Sequence, residues 1–219
     1  MIVTIDGPAG AGKSSAAKAL AARLGFEFLD TGAMYRAVTL AAVRAGIDLH
    51  DQQALAELIG QLKIEMPPGR VLLNGEDVTG LIRTAAITAA SGPIADSHVV
   101  RRQLVEWQRA IAAARNMVTE GRDQGTVVFP HADCKFFMIA DPLERARRRQ
   151  RDMAARGEQV ALEQVLQAQQ ARDERDAHRD LAPMVPAPDA IVIDSTHLTL
   201  PDLVDHLEET LRRRQRGEM

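Results

Sequence analysis

Short apolar runs alternate with amphipathic stretches along most of the chain. Ile2 to Ile5 is apolar and β-branched and ends on Asp6. A glycine-rich turn follows, and then Ser14 to Leu24, rich in alanine, leucine and lysine, runs up to Gly25. This order predicts strand, turn and helix. Phe26 to Leu29 predicts a second strand, and Ala33 to Ala45 a helix stopped by Gly46. Asp51 caps another helix, with Leu55, Leu58, Ile59 and Leu62 at helical spacing. Helical patterns return from about Thr84 and from Val99 to Arg115. Met117 to Thr119, Val127 to Phe129 and Phe136 to Ile139 are apolar runs short enough for buried strands. A strongly charged helix is expected over Pro142 to Arg156, ending at Gly157, and another over Leu162 to Asp176. Pro183, Pro186 and Pro188 then interrupt the pattern. Ile191 to Asp194 is the last core strand, and Pro201 to Arg214 a closing helix with arginines at the negative end of its dipole. Such alternation predicts an α/β fold with a parallel sheet covered on both faces.

Between Lys63 and Thr79 the pattern changes. Lys63-Ile64-Glu65-Met66 alternates polar and apolar residues, and Pro67-Pro68-Gly69 punctuates it. Val71-Leu72-Leu73 is followed by Asn74-Gly75, a strong hairpin signal. A small antiparallel sheet inserted in the α/β chain is expected. No repeat and no linker divides the sequence, so residues 1–219 are expected to form one domain.

Composition removes several function classes. Aromatics are 3% of 219 residues, too few for a surface that stacks successive bases. Lys and Arg number 27 against 30 Asp and Glu, so no overall basic field exists to hold nucleic acid. One cysteine, Cys134, leaves no intrachain disulfide and no multi-cysteine zinc site, and the six histidines show no metal-ligand spacing. No apolar run approaches a membrane span, and no secretory leader is visible. The expectation is a cytoplasmic protein that binds neither nucleic acid nor membrane. Only four of the 27 basic residues are lysines; the wealth of arginine is explained most simply by genome composition, so only arginines at particular spacings carry weight below.

Gly7-Pro8-Ala9-Gly10-Ala11-Gly12-Lys13-Ser14 fits the pattern G-x-x-x-x-G-K-[ST]. Glycines let successive backbone N–H groups face phosphate oxygens, and the helix that starts there adds its positive end. Lys13 would reach the β- and γ-phosphates and the Ser14 hydroxyl would bind Mg²⁺. The context, after an N-terminal strand and before a helix, is the one the motif demands. A second carboxylate for the metal is ambiguous: Asp141 and Asp194 both end apolar runs, and both read equally well as a strand end or a helix cap.

Three clusters suggest a second anion. Asp30-Thr31-Gly32-Ala33-Met34-Tyr35-Arg36 follows a strand, where Thr31 and Gly32 could present N–H groups with Arg36 close by; a plain N-cap at Thr31 is the simpler alternative. Gly121-Arg122-Asp123-Gln124-Gly125 also follows a strand, where ligands bind in open α/β sheets; a surface ion pair is the alternative. On a helix, Arg172, Asp176 and Arg179 would share a face, able to grip a phosphate and a sugar diol, or simply to form salt bridges in solvent. Farther upstream, Arg145, Arg147, Arg148, Arg149 and Arg151 crowd two turns and would repel one another without an anion, as a cover over a triphosphate would.

Together these pieces resemble the nucleoside monophosphate kinase branch of P-loop proteins and, within it, the bacterial cytidylate kinases. The shared segments span nearly the whole chain: Ile5 to Ser14, Leu29 to Arg36, Asn74 to Thr79, Ile82-Arg83-Thr84, Gly121 to Pro130, Arg172 to Arg179 and Ala182 to Ala187. The resemblance implies transfer of the γ-phosphoryl group of ATP to CMP or dCMP, with Mg²⁺. It implies a P-loop kinase fold: a five-stranded parallel core (about 1–37, 84–144 and 177–219), a monophosphate-binding insert (about 38–83) and a short helical lid (about 145–176). By that similarity Gly7 to Ser15 hold ATP, and Arg145 and Arg149 belong to the lid over it. Arg36, Arg122 and Arg179 grip the CMP phosphate with Thr31 nearby, and Arg172 lies between donor and acceptor phosphates. Asp176 meets the ribose hydroxyls, and Arg101 and Asp123 read the cytosine edge. Lys13, Arg122, Arg172 and Arg179 carry the catalysis. The chain departs from the family pattern at Thr31, usually Ser, at Gly92, where a base-reading serine usually stands with Ser91 here one residue early, and at Glu120, often Asp.

Phosphoryl transfer spreads charge over the transferring oxygens, so positioning and electrostatic stabilisation do most of the work. A monophosphate acceptor is already an anionic nucleophile, which suits a site rich in arginine and without an obvious base. The alternatives are a kinase for another monophosphate such as UMP, or a non-catalytic nucleotide switch. The guanine-reading N-K-x-D segment of such switches is absent.

Overall fold

The computed structural model of the chain describes residues 1–155 and 157–218. It forms two compact units, Met1–Phe28 with the chain from Arg115 onward, and Leu29–Ala114. The segment 38–83 lies within the second unit and 145–176 within the first.

The first unit is built on a parallel sheet. In chain order it contains β1 (Ile2–Asp6), α1 (Lys13–Leu24) and the start of β2 (Glu27–Asp30). The chain then passes through the second unit, residues 29–114. The first resumes with β6 (Met117–Glu120), β7 (Cys134–Ile139), α6 (Pro142–Ala154), α7 (Leu162–Ala177), β8 (Ile191–Asp194) and α8 (Leu200–Gln215). The five strands lie in the order β2-β6-β1-β7-β8. β1 is central, parallel to β6 (Ile5 opposite Glu120) and to β7 (Asp6 opposite Phe137). The C-terminal ends of β1 and β6 therefore finish side by side, where ligands bind in open α/β sheets.

Alternation along β1 sorts its side chains. Val3 and Ile5 join the core with Ala16, Leu20, Phe136, Met138, Leu203 and Leu207, where α1 and α8 pack together. Thr4 and Asp6 point to the other face and are equally buried, at 0% and 4% exposure. Cys134 sits in the core, and burial pushes its thiol up to about 11, far from thiolate chemistry.

One expected strand is absent. Val127 to Phe129 is not part of the sheet; Gln124–Val128 forms a single π turn instead. The carbonyl of Asp123 accepts from the amides of Val127 and Val128, and Phe129 N donates to Gln124 O at 2.7 Å. The turn's own hydrogen bonds, with those of Gln124 and Gly125 to Asp6, satisfy the groups that a strand would have paired. The charged helix α6 ends at Ala154; Arg156, expected in it, lies outside the described residues.

The second unit contains α2 (Thr31–Arg44), α3 (Gln52–Ile59), β3 (Ile64–Glu65), β4 (Leu72–Leu73), β5 (Glu76–Asp77), α4 (Ala85–Asp96) and α5 (His98–Ala112). The expected antiparallel sheet is present, in the order β3-β4-β5. Asn74 and Gly75 both have positive φ, 51° and 86°, as a two-residue hairpin turn requires. Asn74 also ties β3 in: Lys63 N donates to its Oδ1 and its own N donates to Lys63 O, both at 2.8 Å. Helix α2 begins two residues earlier than expected. Its cap is Asp30, which accepts from Ala33 N at 2.8 Å, so Thr31 is the first helical residue rather than the cap. Leu40, Val71, Leu73, Val78 and Ile82 form this unit's core.

Gly7 and Gly75 should behave differently on replacement by alanine. At Gly75 the new Cβ meets nothing, so only the left-handed backbone opposes it, at a cost of about 1–2 kcal/mol. At Gly7 (φ 134°) it would stand 2.0 Å from Met138 O in a central strand, so the loss should be clearly larger. Urea unfolding midpoints of the two variants test the ranking.

Candidate active site

The phosphate loop leaves β1 at Asp6 and enters α1 at Lys13, with Gly12 as a left-handed N-cap. Ala16 N donates to Gly12 O at 3.0 Å, so the helix starts directly behind the loop. Lys13 is 5% exposed and its Nζ donates to Pro8 O at 2.7 Å. Burial, joined by the nearby Arg122, pushes its ammonium group down to about 7, against the pull of Glu120 and Asp6. Ser14 Oγ donates to Glu120 Oε1 at 3.0 Å. Glu120, buried at the end of β6, is thus the carboxylate beside the serine. Asp141 and Asp194 are not: Asp141 caps α6 by accepting from Leu143 N and Glu144 N, and Asp194 accepts from Thr196.

Three elements brace the loop. Arg145 of α6 is buried and donates to Ala9 O and to Ala140 O, each at 3.0 Å. It also pairs with Asp173 of α7, whose other oxygen accepts from Ala9 N at 3.4 Å. Ser195, just past β8, donates to Ala11 O at 2.8 Å. Arg148 in turn donates to Ser195 O at 2.7 Å and to Thr196 O at 3.0 Å. Arg149 is half-buried on the same helix, and Ser15 is exposed in the first turn of α1. The crowded arginines of α6 are relieved by carboxylates: Glu144 lies 3.1 Å from Arg148 and 3.3 Å from Arg151, while Asp173 takes Arg145.

Asp176, near the end of α7, gathers a ring of guanidinium groups. Arg122 Nε donates to its Oδ2 at 2.9 Å, Arg172 Nε lies 3.8 Å from the same oxygen, and Arg179 pairs with Oδ1. Arg179 lies past the end of the helix at Ala177 and still reaches Asp176, so the expected cluster forms without one continuous helical face. Burial alone would raise the Asp176 carboxyl, but Arg122, Arg179 and Arg172 outweigh it and hold the group below its ordinary value. Asp123 is 4% exposed, next to Arg122.

The second unit carries its own cationic cluster. Asp30 Oδ2 lies 3.5 Å from Arg36 and 3.2 Å from Arg83, beside the first turn of α2. Thr31 is buried there. Arg101, 5% exposed, donates to Ala95 O at 3.1 Å, and its guanidinium lies 5.8 Å from the centre of the Tyr35 ring. Ser91 is buried with its hydroxyl donating to Thr88 O at 2.8 Å.

The sequence matches the family model "Cytidylate kinase" over residues 3–213. The cytidylate kinase of Geobacter sulfurreducens is 47% identical over 221 residues, covering 99% of this chain and 95% of that one. That of Rhodopirellula baltica is 47% identical over 212 residues, with 97% and 91% covered. The chain belongs to the cytidylate kinase family. In fold alone, this cytidylate kinase family member is similar to a shikimate kinase from Bacteroides thetaiotaomicron, with a TM-score of 0.50 at 15% identity, covering 97% of this chain and 98% of that one.

In this member of the cytidylate kinase family, the sequence reading left several residues of these clusters without a role. Glu120, Asp30 and Ser195 touch Ser14, Arg36 and Ala11, which it did single out, and Arg83 and Arg148 touch Asp30 and Ser195 in turn. Glu120 was detectable as the residue that ends a buried strand just before Gly121-Arg122. Arg148 was detectable as the i+4 partner of Glu144. Ser195 carried no signal, because its acceptor at Ala11 is 184 residues away.

Asp176→Ala should leave guanidinium groups facing one another in a buried place. We expect a loss of about 3 kcal/mol in urea unfolding, with millimolar sulfate restoring more stability to the variant than to the wild type. Since the folded carboxyl is held low, its contribution is complete above pH 3.8 and fades as pH falls through the lower folded value. The variant's stability should therefore vary less with pH in that acid range.

Proposed function

We propose that the chain transfers the γ-phosphoryl group of ATP to CMP or dCMP, releasing ADP and CDP or dCDP. The observation that carries this reading is the near-full-length match to cytidylate kinases. The clusters described above suit the chemistry. Lys13 and the backbone of Gly7 to Ser15 are assigned to the donor phosphates. Arg145 and Arg149 are assigned to the lid over ATP, where Arg145 already braces the loop at Ala9. Arg36, Arg122 and Arg179 are assigned to the acceptor phosphate with Thr31, and Arg101 and Asp123 to the cytosine edge. Asp176 is assigned to the ribose hydroxyls, which would displace some of its guanidinium partners.

Mg²⁺ fits the donor set at Ser14. A hydroxyl and a buried carboxylate 3.0 Å apart are the hard oxygen ligands this ion takes, and it commonly completes its shell with waters and substrate phosphates. Ser14 would hold it, with Glu120 behind its waters, and the bound ion would draw charge from the phosphate oxygens. Arg172 is assigned to the charge that develops on the transferring group, since it already stands beside Asp176 and near Lys13. No helix of the described residues is long and apolar enough to cross a membrane. We propose that the enzyme works as a monomer in the cytoplasm.

ADP release measured across CMP, dCMP, UMP, AMP and GMP tests the acceptor. Turnover should be fastest with the two cytosine nucleotides; a faster purine, or none above background hydrolysis, would contradict the reading. Arg172→Ala should lower kcat with CMP by about 10²-fold. An unchanged kcat would remove Arg172 from the transfer step.

A further inference from the structure

Asp6 is a carboxylate that the phosphate loop itself does not require. It stands at the end of the central strand, 4% exposed, on the face opposite the apolar core. Its two oxygens accept from consecutive amides, Gln124 N at 2.9 Å and Gly125 N at 2.7 Å. These belong to the turn directly after Arg122 and Asp123. The turn sits tightly on the strand: a Cβ on Gly125 would lie 3.0 Å from Thr4 Oγ1 and 3.4 Å from Asp6 Oδ2. Thr119 Oγ1 donates to Gln124 Oε1 at 2.9 Å from the adjacent strand. Downstream, the amides of Val127 and Val128 return to Asp123 O, so the turn is closed on itself. A displacement at Gln124 and Gly125 is therefore handed to Asp123 and Arg122. Burial raises the Asp6 carboxyl to about 7, with the two amides drawing it back. A buried acid kept under that opposition has a structural task, and its hydrogen bonds identify the task.

We propose that Asp6 is a positioning residue for the acceptor nucleotide. It fixes the Gln124–Gly125 amides and through them the backbone that aims Arg122 and Asp123. The proposal rests on the reading of those two residues as CMP ligands. A carboxylate suits the place because both its oxygens accept. Asparagine has one accepting oxygen, and its NH₂ would confront an amide N–H. Small displacements of aligned groups are costly, up to about 10² in rate for 1 Å.

A double-mutant cycle with Asp6→Asn and Arg122→Ala decides the matter. Asp6→Asn should lower kcat/KM for CMP at least about tenfold while KM for ATP moves less than about threefold. In the Arg122→Ala background the same change should cost clearly less than in the wild type, because one of the two groups it aims is gone. Equal factors in both backgrounds, equal losses for both substrates, or no loss would overturn the proposal. Should Asp6→Asn fail to fold by circular dichroism, Gly125→Ala presses the same turn against Thr4 and should give the same acceptor-selective loss; a loss shared equally with ATP would overturn it. A wild type that turns over no CMP would remove the kinase reading itself. An active wild type with an indifferent Asp6→Asn would remove only Asp6.

Discussion

The first unit is organised around a buried lysine whose charge its surroundings disfavour. Lys13 is buried at the first turn of α1, within reach of the field of Arg122 and Arg172. Desolvation and like charge both disfavour its proton, and Glu120 and Asp6 only partly offset them. The neighbouring arginines are instead neutralised by carboxylates: Asp176 among Arg122, Arg172 and Arg179, and Asp173 against Arg145. Below about pH 7 the lysine is charged in folded and unfolded chains alike, and the full cost of burying it opposes folding. As pH rises towards 10.5 the unfolded chain holds the proton that the folded one has lost, so folding stability rises across that interval.

The sheet explains why these groups meet. Parallel strands finish at the same edge, so the ends of β1 and β6 deliver the phosphate loop and the Arg122 segment side by side. Asp6 then bonds one to the other through the amides of Gln124 and Gly125. The β8 end adds Ser195, which anchors Ala11, and α6 and α7 add Arg145 and Asp173. Ser195, Arg145 and Asp173 each hydrogen-bond to the loop's backbone, at Ala11 or Ala9.

Much of this was legible in the sequence, and the reasons differ by element. The loop and its flanking strand and helix were readable because the motif is local. So was the Asn74-Gly75 hairpin, which needs two consecutive positive φ values that few other residue pairs accept. Arg36, Arg122, Arg172 and Arg179 were nameable through resemblance. The π turn at Gln124–Val128 was not, because Val127, Val128 and Phe129 carry strand propensity, and the distant Asp6 and Thr119 help to override it. Asp30 was misjudged for a smaller reason: both Asp30 and Thr31 can cap, and the position of Ala33 N selects the aspartate. Ser195 acts across the fold, 184 residues from its acceptor at Ala11, and a single residue so far removed leaves no pattern to read.

Calorimetry of ATP binding at pH 8, repeated in buffers of different ionisation enthalpy, measures the lysine directly. A triphosphate placed against a neutral Lys13 restores its proton, so binding should take up about one proton at pH 8 and almost none at pH 6. Binding at pH 8 with no proton taken from the buffer would mean that Lys13 is already charged in the resting chain, and the ordering of forces described here would be wrong.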